Sequence, residues 1–163
     1  MSNNVLNANP FGSVRDDRIR KFEREKSLSL PEDYRSYLAK YNGGSFEKDY
    51  FSTSGNSEYD LQLVDFFSLE AGPDYRRLEL QWEFSKTYDL RQYADRLVDY
   101  VLIGEATGGV AILLNARSGN ISIYDPDHFE IVSPSSILTK LEEVSGSFSE
   151  FVGGMKSEEE ANV

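Results

Sequence analysis

The sequence predicts an α+β domain in which an antiparallel-rich sheet is flanked by helices. Three features carry that prediction: a capped helical stripe at residues 30–44, apolar strands parted by glycine turns at residues 100–125, and helical spacing again towards both ends. With 163 residues the chain makes one domain. It divides into a flexible lead at residues 1–13, a folded unit at 14–156 and an acidic tail at 157–163 that ends in Glu158, Glu159, Glu160 and three further residues.

Residues 15–25 place Ile19 and Phe22 three apart with mixed charges around them, which predicts a helix that Ser27-Leu28-Ser29 ends. In the next segment Pro31 suits the first helical position, where its missing N–H would have been unpaired anyway. Glu32 and Asp33 favour the positive end of the helix dipole, and Tyr34, Tyr37, Leu38 and Tyr41 form one apolar stripe. Gly43 is predicted to take positive φ and stop the helix, with Gly44 the more tolerant of the pair. Residues 48–53 and 61–69 read as strands, the second presenting Leu61, Leu63, Asp65 or Phe67, and Leu69 to one face.

Residues 73–96 fit two patterns. Leu78, Leu80, Trp82 and Phe84 alternate like a strand, while Tyr75, Leu78 and Trp82 share a helical face; the abundance of Glu, Arg, Gln and Leu favours helix. Residues 100–103, 110–115 and 121–125 then read as strands, and 129–131 as a short further one. Ile137, Leu138, Leu141 and Val144 return to helical spacing over residues 135–144. Ser147 caps a last helix, with Glu150 three residues on and Phe148, Phe151 and Val152 buried.

Net charge narrows the function classes. The chain carries −11, yet residues 14–26 hold six basic and four acidic residues, so residues 27–163 carry −13. Such an excess repels nucleic acid phosphates and anionic membranes, and attracts basic proteins. The absence of cysteine removes thiolate nucleophiles, disulfides and zinc fingers. With no apolar stretch near about 20 residues and no basic, apolar leader, the expected compartment is the cytoplasm, and no cofactor is expected.

Catalytic chemistry finds little material. His128 is the only imidazole and no G-x-S-x-G elbow offers it a serine, so it reads as a loop residue. Asp125-Pro126-Asp127, with Glu130, gathers oxygens in a turn but lacks the register of a calcium loop. Gly104-Glu105-Ala106-Thr107-Gly108-Gly109 lacks the lysine of a phosphate loop and joins two strands. The Tyr34/Tyr37/Tyr41 stripe without basic neighbours reads as core rather than as a nucleic acid stacking platform. Arg18, Arg20, Lys21 and Arg24 alternate with acids and read as a mixed, solvated face.

The segment Leu30-Pro31-Glu32-Asp33-Tyr34…Leu38…Asn42-Gly43-Gly44 resembles the helix signature of the SUKH superfamily. Val101-Leu102-Ile103-Gly104 with Gly108-Gly109 and residues 111–114 is similar to its hairpin, and Ile121-Ser122-Ile123-Tyr124-Asp125 to its following strand. The likeness runs over roughly residues 14–152. It implies an α+β, SUKH-like fold. It also implies the role of an immunity protein that neutralises a cognate toxin of a bacterial polymorphic toxin system, often a nuclease or other enzyme acting in the cytoplasm. The superfamily also includes a fungal regulator of cell-wall synthesis, so an intracellular scaffold is the alternative. The matched residues Leu30, Pro31, Tyr34, Asn42, Gly43, Gly44, Ile103, Gly104 and Gly109 read as keepers of the fold. Contact with a basic toxin surface is expected instead from carboxylates in turns, namely Glu105, Asp125, Asp127 and Glu130. A carboxylate-pair enzyme is the least favoured reading, because no pair falls into a shared cleft.

Overall fold

The longest apolar runs of the chain become the middle of a sheet. In the computed structural model, which describes residues 3–53, 60–128 and 134–161, six strands lie side by side in chain order, each antiparallel to the next. They are β1 (Tyr50–Phe51), β2 (Leu61–Phe66), β3 (Tyr100–Ala106), β4 (Val110–Asn115), β5 (Ile121–Tyr124) and β6 (Glu142–Ser145). Val101, Leu102 and Ile103 of β3 and Ala111, Ile112, Leu113 and Leu114 of β4 are all removed from solvent. Side chains on a strand alternate between faces, so such runs require cover on both.

Register sorts the two faces. Phe66, Gly104, Ile112 and Ile123 form one row, and Asp65, Glu105, Ala111 and Tyr124 form the next row, which points the opposite way. On the first face Phe66 meets Tyr37 of α2 (Glu32–Tyr41) at 5.7 Å and Phe148 of α5 (Phe148–Gly153) at 5.3 Å between ring centroids. On the second, Tyr124 meets Phe84 of α4 (Phe84–Thr87) at 5.2 Å and Tyr88 at 5.8 Å. Helices therefore sandwich the sheet. The α1 helix (Asp16–Lys26) packs on α2 and buries Ile19 and Phe22, the latter edge-on to Trp82 at 6.3 Å.

The tyrosine stripe is core, as the sequence predicts. Tyr34 and Tyr37 are buried, and the Tyr37 hydroxyl donates to the Gly43 carbonyl at 2.7 Å. The Tyr34 hydroxyl is buried without a partner, and burial alone holds it protonated far above the usual phenol range. An unmade buried hydrogen bond is destabilising, so Tyr34→Phe is expected to stabilise the fold by about 1 kcal/mol. Urea unfolding checks this, and a lower midpoint for the phenylalanine variant overturns it.

Several boundaries differ from expectation. Pro31 stands at the N-cap, one residue before the helix proper. Strand β2 stops at Phe66, and a bulge between Leu63 and Asp65 breaks the expected alternating face. Strand β1 has only two residues; Tyr50 and Lys156 exchange backbone hydrogen bonds of 3.1 and 2.7 Å on its outer side. Residues 73–96 are helical but in short pieces, namely a 3₁₀ turn at Asp74–Arg76, α3 (Leu78–Gln81), α4 and a 3₁₀ stretch at Arg91–Arg96. Strand pairing survives there as two isolated bridges, Arg77 with Ser68 and Glu83 with Val101, the latter beside a 2.9 Å bond from the Leu102 N–H to the Trp82 carbonyl. The cause is topological: β2 pairs with β3 only at residues 104–106, and residues 82–83 fill the vacant edge of the other half.

The helix expected over residues 135–144 is not formed. A 3₁₀ stretch at Pro134–Lys140 gives way to β6, because β5 offers a free edge whose ladder bonds outweigh local helical spacing. The predicted cap of α5 is present: the Ser147 hydroxyl accepts the Glu150 N–H at 3.1 Å. The strand expected at residues 129–131 lies outside the described residues.

The lead segment is also placed. The Leu6 N–H donates to the Ser45 carbonyl at 3.1 Å and the Glu47 N–H to the Asn4 carbonyl at 2.8 Å. The buried Asn3 amide donates to the carbonyls of Lys48 (2.6 Å) and Val152 (3.2 Å) and accepts the Lys48 N–H at 3.0 Å.

Candidate functional site

Two groups of residues singled out by the sequence fall in different settings. The first group surrounds the end of α2. Asn42 takes the left-handed conformation (φ 38°), a task the sequence assigns to Gly43, and both Gly43 (φ 94°) and Gly44 (φ 98°) also have positive φ. The Asn42 side chain donates to the carbonyls of Gly12 (2.9 Å) and Leu69 (3.0 Å) and accepts the Leu69 N–H at 2.7 Å. Its own carbonyl accepts the Ser68 hydroxyl at 2.8 Å. The turn thus ties the lead segment to the exit of β2. A Cβ on Gly44 would land on the Asn7 carbonyl oxygen, so Gly44 is not the tolerant member of the pair. Leu30, Tyr34 and Ile103 are buried, and a Cβ on Gly104 would come within 2.5 Å of the Asp65 carbonyl oxygen where β2 meets β3.

The second group lies on the other face, at the end of the sheet where β3 turns into β4. Glu105, expected in a turn, instead lies within β3, where the ladder extends to Ala106, and it projects from the row Asp65–Glu105–Ala111–Tyr124. Asp125 follows Tyr124, and its carboxylate accepts the Asp127 N–H at 3.0 Å, closing a tight turn into the 3₁₀ segment Pro126–His128. Glu105 and Asp125 therefore flank the Tyr88–Tyr124 pair. Burial, and then the negative charge of Glu105, keep the Tyr88 hydroxyl protonated well above the usual phenol range. Burial raises Tyr124 as well, with Tyr93 and Asp125 adding to it. Glu130 lies outside the described residues.

Charge compensation sets this end apart from α1. Arg18 grips Glu70 with three bonds of 2.5, 2.8 and 3.1 Å, which holds the Glu70 carboxyl below the usual range, and Arg20 pairs with Asp16 at 2.6 Å. The basic face of α1 is thus largely neutralised. At the other end Asp65 pairs with Arg76, whereas Glu105, half-buried, has no cation beside it among the described residues.

Residues 13–154 match the SMI1/KNR4 family model, SUKH-1. The chain belongs to the SMI1/KNR4 family. No curated protein matches it. SMI1/KNR4 domains are non-catalytic, scaffold-type modules linked broadly to protein–protein interaction and immunity, and the α+β sandwich here is a SUKH-like architecture. Among the described residues no three metal-ligating side chains gather in one place, and no helix is long and apolar enough to cross a membrane. The glycine segment that could pass for a phosphate loop is a β-hairpin turn in this SMI1/KNR4 chain, with Gly108 at φ 77°.

Sequence reasoning missed two features. Tyr88, from the ambiguous segment, comes near Glu105 only because α4 packs on the sheet face that Glu105 shares with Tyr124. A polar groove of about 370 Å³ lies between the lead segment and α2, lined by Asn4, Asp33, Ser36, Lys40 and Ser149 among others. There the Asp33 carboxylate accepts the N–H groups of Tyr34 (2.8 Å) and Ser149 (2.9 Å), linking α2 to α5. The 116-residue separation of Asp33 and Ser149 left no sequence signal for it.

Proposed function

We propose that this protein is an immunity protein of a bacterial polymorphic toxin system. It binds a cognate, cytoplasm-acting toxin, a nuclease or another enzyme, and neutralises it by stoichiometric occlusion. The observation that carries this reading is Glu105, half-buried with no cation beside it among the described residues, at the end of the second sheet face where Asp125 and Asp127 form a turn, together with −13 on residues 27–163. An inhibitor of this charge occupies the surface a nuclease presents to phosphates. Opposite fields also speed encounter, towards about 10⁸–10⁹ M⁻¹s⁻¹ at low salt.

Co-expression with a toxin domain from a gene neighbouring its own tests the reading, and the absence of any such gene counts against it. Protection of the host cell is expected, together with an association rate that falls at least tenfold between 50 and 500 mM salt, both stated as orders of magnitude from electrostatic steering. Failure to protect overturns the immunity role. A rate indifferent to salt overturns the electrostatic mechanism.

A further inference from the structure

The Glu105 corner has an unusual composition for a surface. Glu105 is half-buried beside Asp65, whose own charge Arg76 satisfies. On the other side Ala111 contributes only a methyl group between Glu105 and Tyr124. Tyr88 closes that space, with its ring perpendicular to Tyr124 and its hydroxyl donating to the Gly109 carbonyl at 2.9 Å. Beyond it the turn Thr107–Gly109 is exposed throughout, and a Cβ built on Gly108 or Gly109 would meet nothing within 4 Å. The corner therefore combines an unmatched carboxylate, a half-exposed aromatic ring and bare backbone open to approach.

We propose that this corner receives an arginine side chain of the protein partner, an inference that rests on the partner being a protein as argued above. A carboxylate with no cation beside it is open to one, and a guanidinium supplies two parallel N–H donors that match its two oxygens. The flat guanidinium also stacks on a tyrosine ring within about 6 Å of its centre. A lysine ammonium is a hydrated point charge and satisfies the carboxylate without the stacking, so the corner discriminates between the two cations. The glycine turn matters by what it lacks: no side chain at 108 or 109 stands in the path of a long, planar group.

Nuclear magnetic resonance titration of the full chain with Nα-acetyl-arginine amide tests this. Saturable shifts are expected at Tyr88, Glu105, Gly108 and Gly109, at least fivefold weaker with the lysine analogue and absent with the uncharged citrulline analogue, following the differing geometries of the two cations. Glu105→Gln should weaken binding at least tenfold, as loss of a charge-assisted pair implies. Tyr88→Phe, which keeps the ring, should bind like the parent. Shifts spread evenly over all carboxylates, equal binding of arginine and lysine, or indifference to Glu105→Gln overturn the proposal. A Glu105→Gln protein that still neutralises its toxin at the parent rate refutes the corner and leaves the immunity reading standing. Failure of the unaltered protein to neutralise refutes that reading, while the titration still decides on the corner.

Discussion

Asn42→Ala is expected to destabilise the protein by about 3–5 kcal/mol, the sum of leaving several buried groups unpaired at roughly 1–3 kcal/mol each. The loss is that large because one buried amide serves three distant backbone groups, the carbonyls of Gly12 and Leu69 and the N–H of Leu69. Alanine also tolerates the left-handed conformation of position 42 less well than asparagine. For a domain of this size the loss corresponds to a fall in melting temperature of roughly 10 °C or more. Asn42→Gly separates the two contributions, since glycine keeps the conformation and removes only the side-chain bonds. Calorimetry on both variants is decisive: if each stays within about 1 kcal/mol of the parent, a change near the error of such comparisons, the amide does not hold the turn.

Gly44→Ala is the second large effect, at about 2–4 kcal/mol, combining left-handed strain with a steric clash. At φ 98° the new methyl group falls on the Asn7 carbonyl oxygen, so the lead segment must move. Gly43→Val meets a comparable obstacle in the Ser68 hydroxyl and the Phe66 carbonyl. Gly108→Ala is the control, because position 108 also has positive φ but open space around it. It should lose only the conformational part, about 1–2 kcal/mol. Equal losses at 44 and 108 in urea unfolding rule out the close approach as the cause.

The sequence exposed those parts of the molecule whose physics is local. Helix α2 was legible because its stripe, its acidic first turn and its Asn-Gly-Gly stop lie within 15 residues, and α5 because Ser147 caps it directly. Strands β3, β4 and β5 were legible as apolar runs between turns. Residues 142–145 were not, since only the waiting edge of β5 makes Glu142 and Val144 a strand. For the candidate site, the acidic excess could be counted, but which carboxylate lacks a cation could not. That depends on Arg76 finding Asp65 rather than Glu105, and on a bulge that sets which face each acid occupies.

Strand order equal to chain order has a consequence for how the molecule assembles. Strands β3, β4 and β5 join through short connections, so the loops closed in pairing them are small and their loss of chain entropy is modest. The lead segment stands at the opposite extreme: Asn3 reaches the Val152 carbonyl across 149 residues of chain. The central meander forms early and its amides exchange with solvent last. The two ends of the chain meet late, and the hydrogen bonds that join them open before the sheet beneath them unfolds.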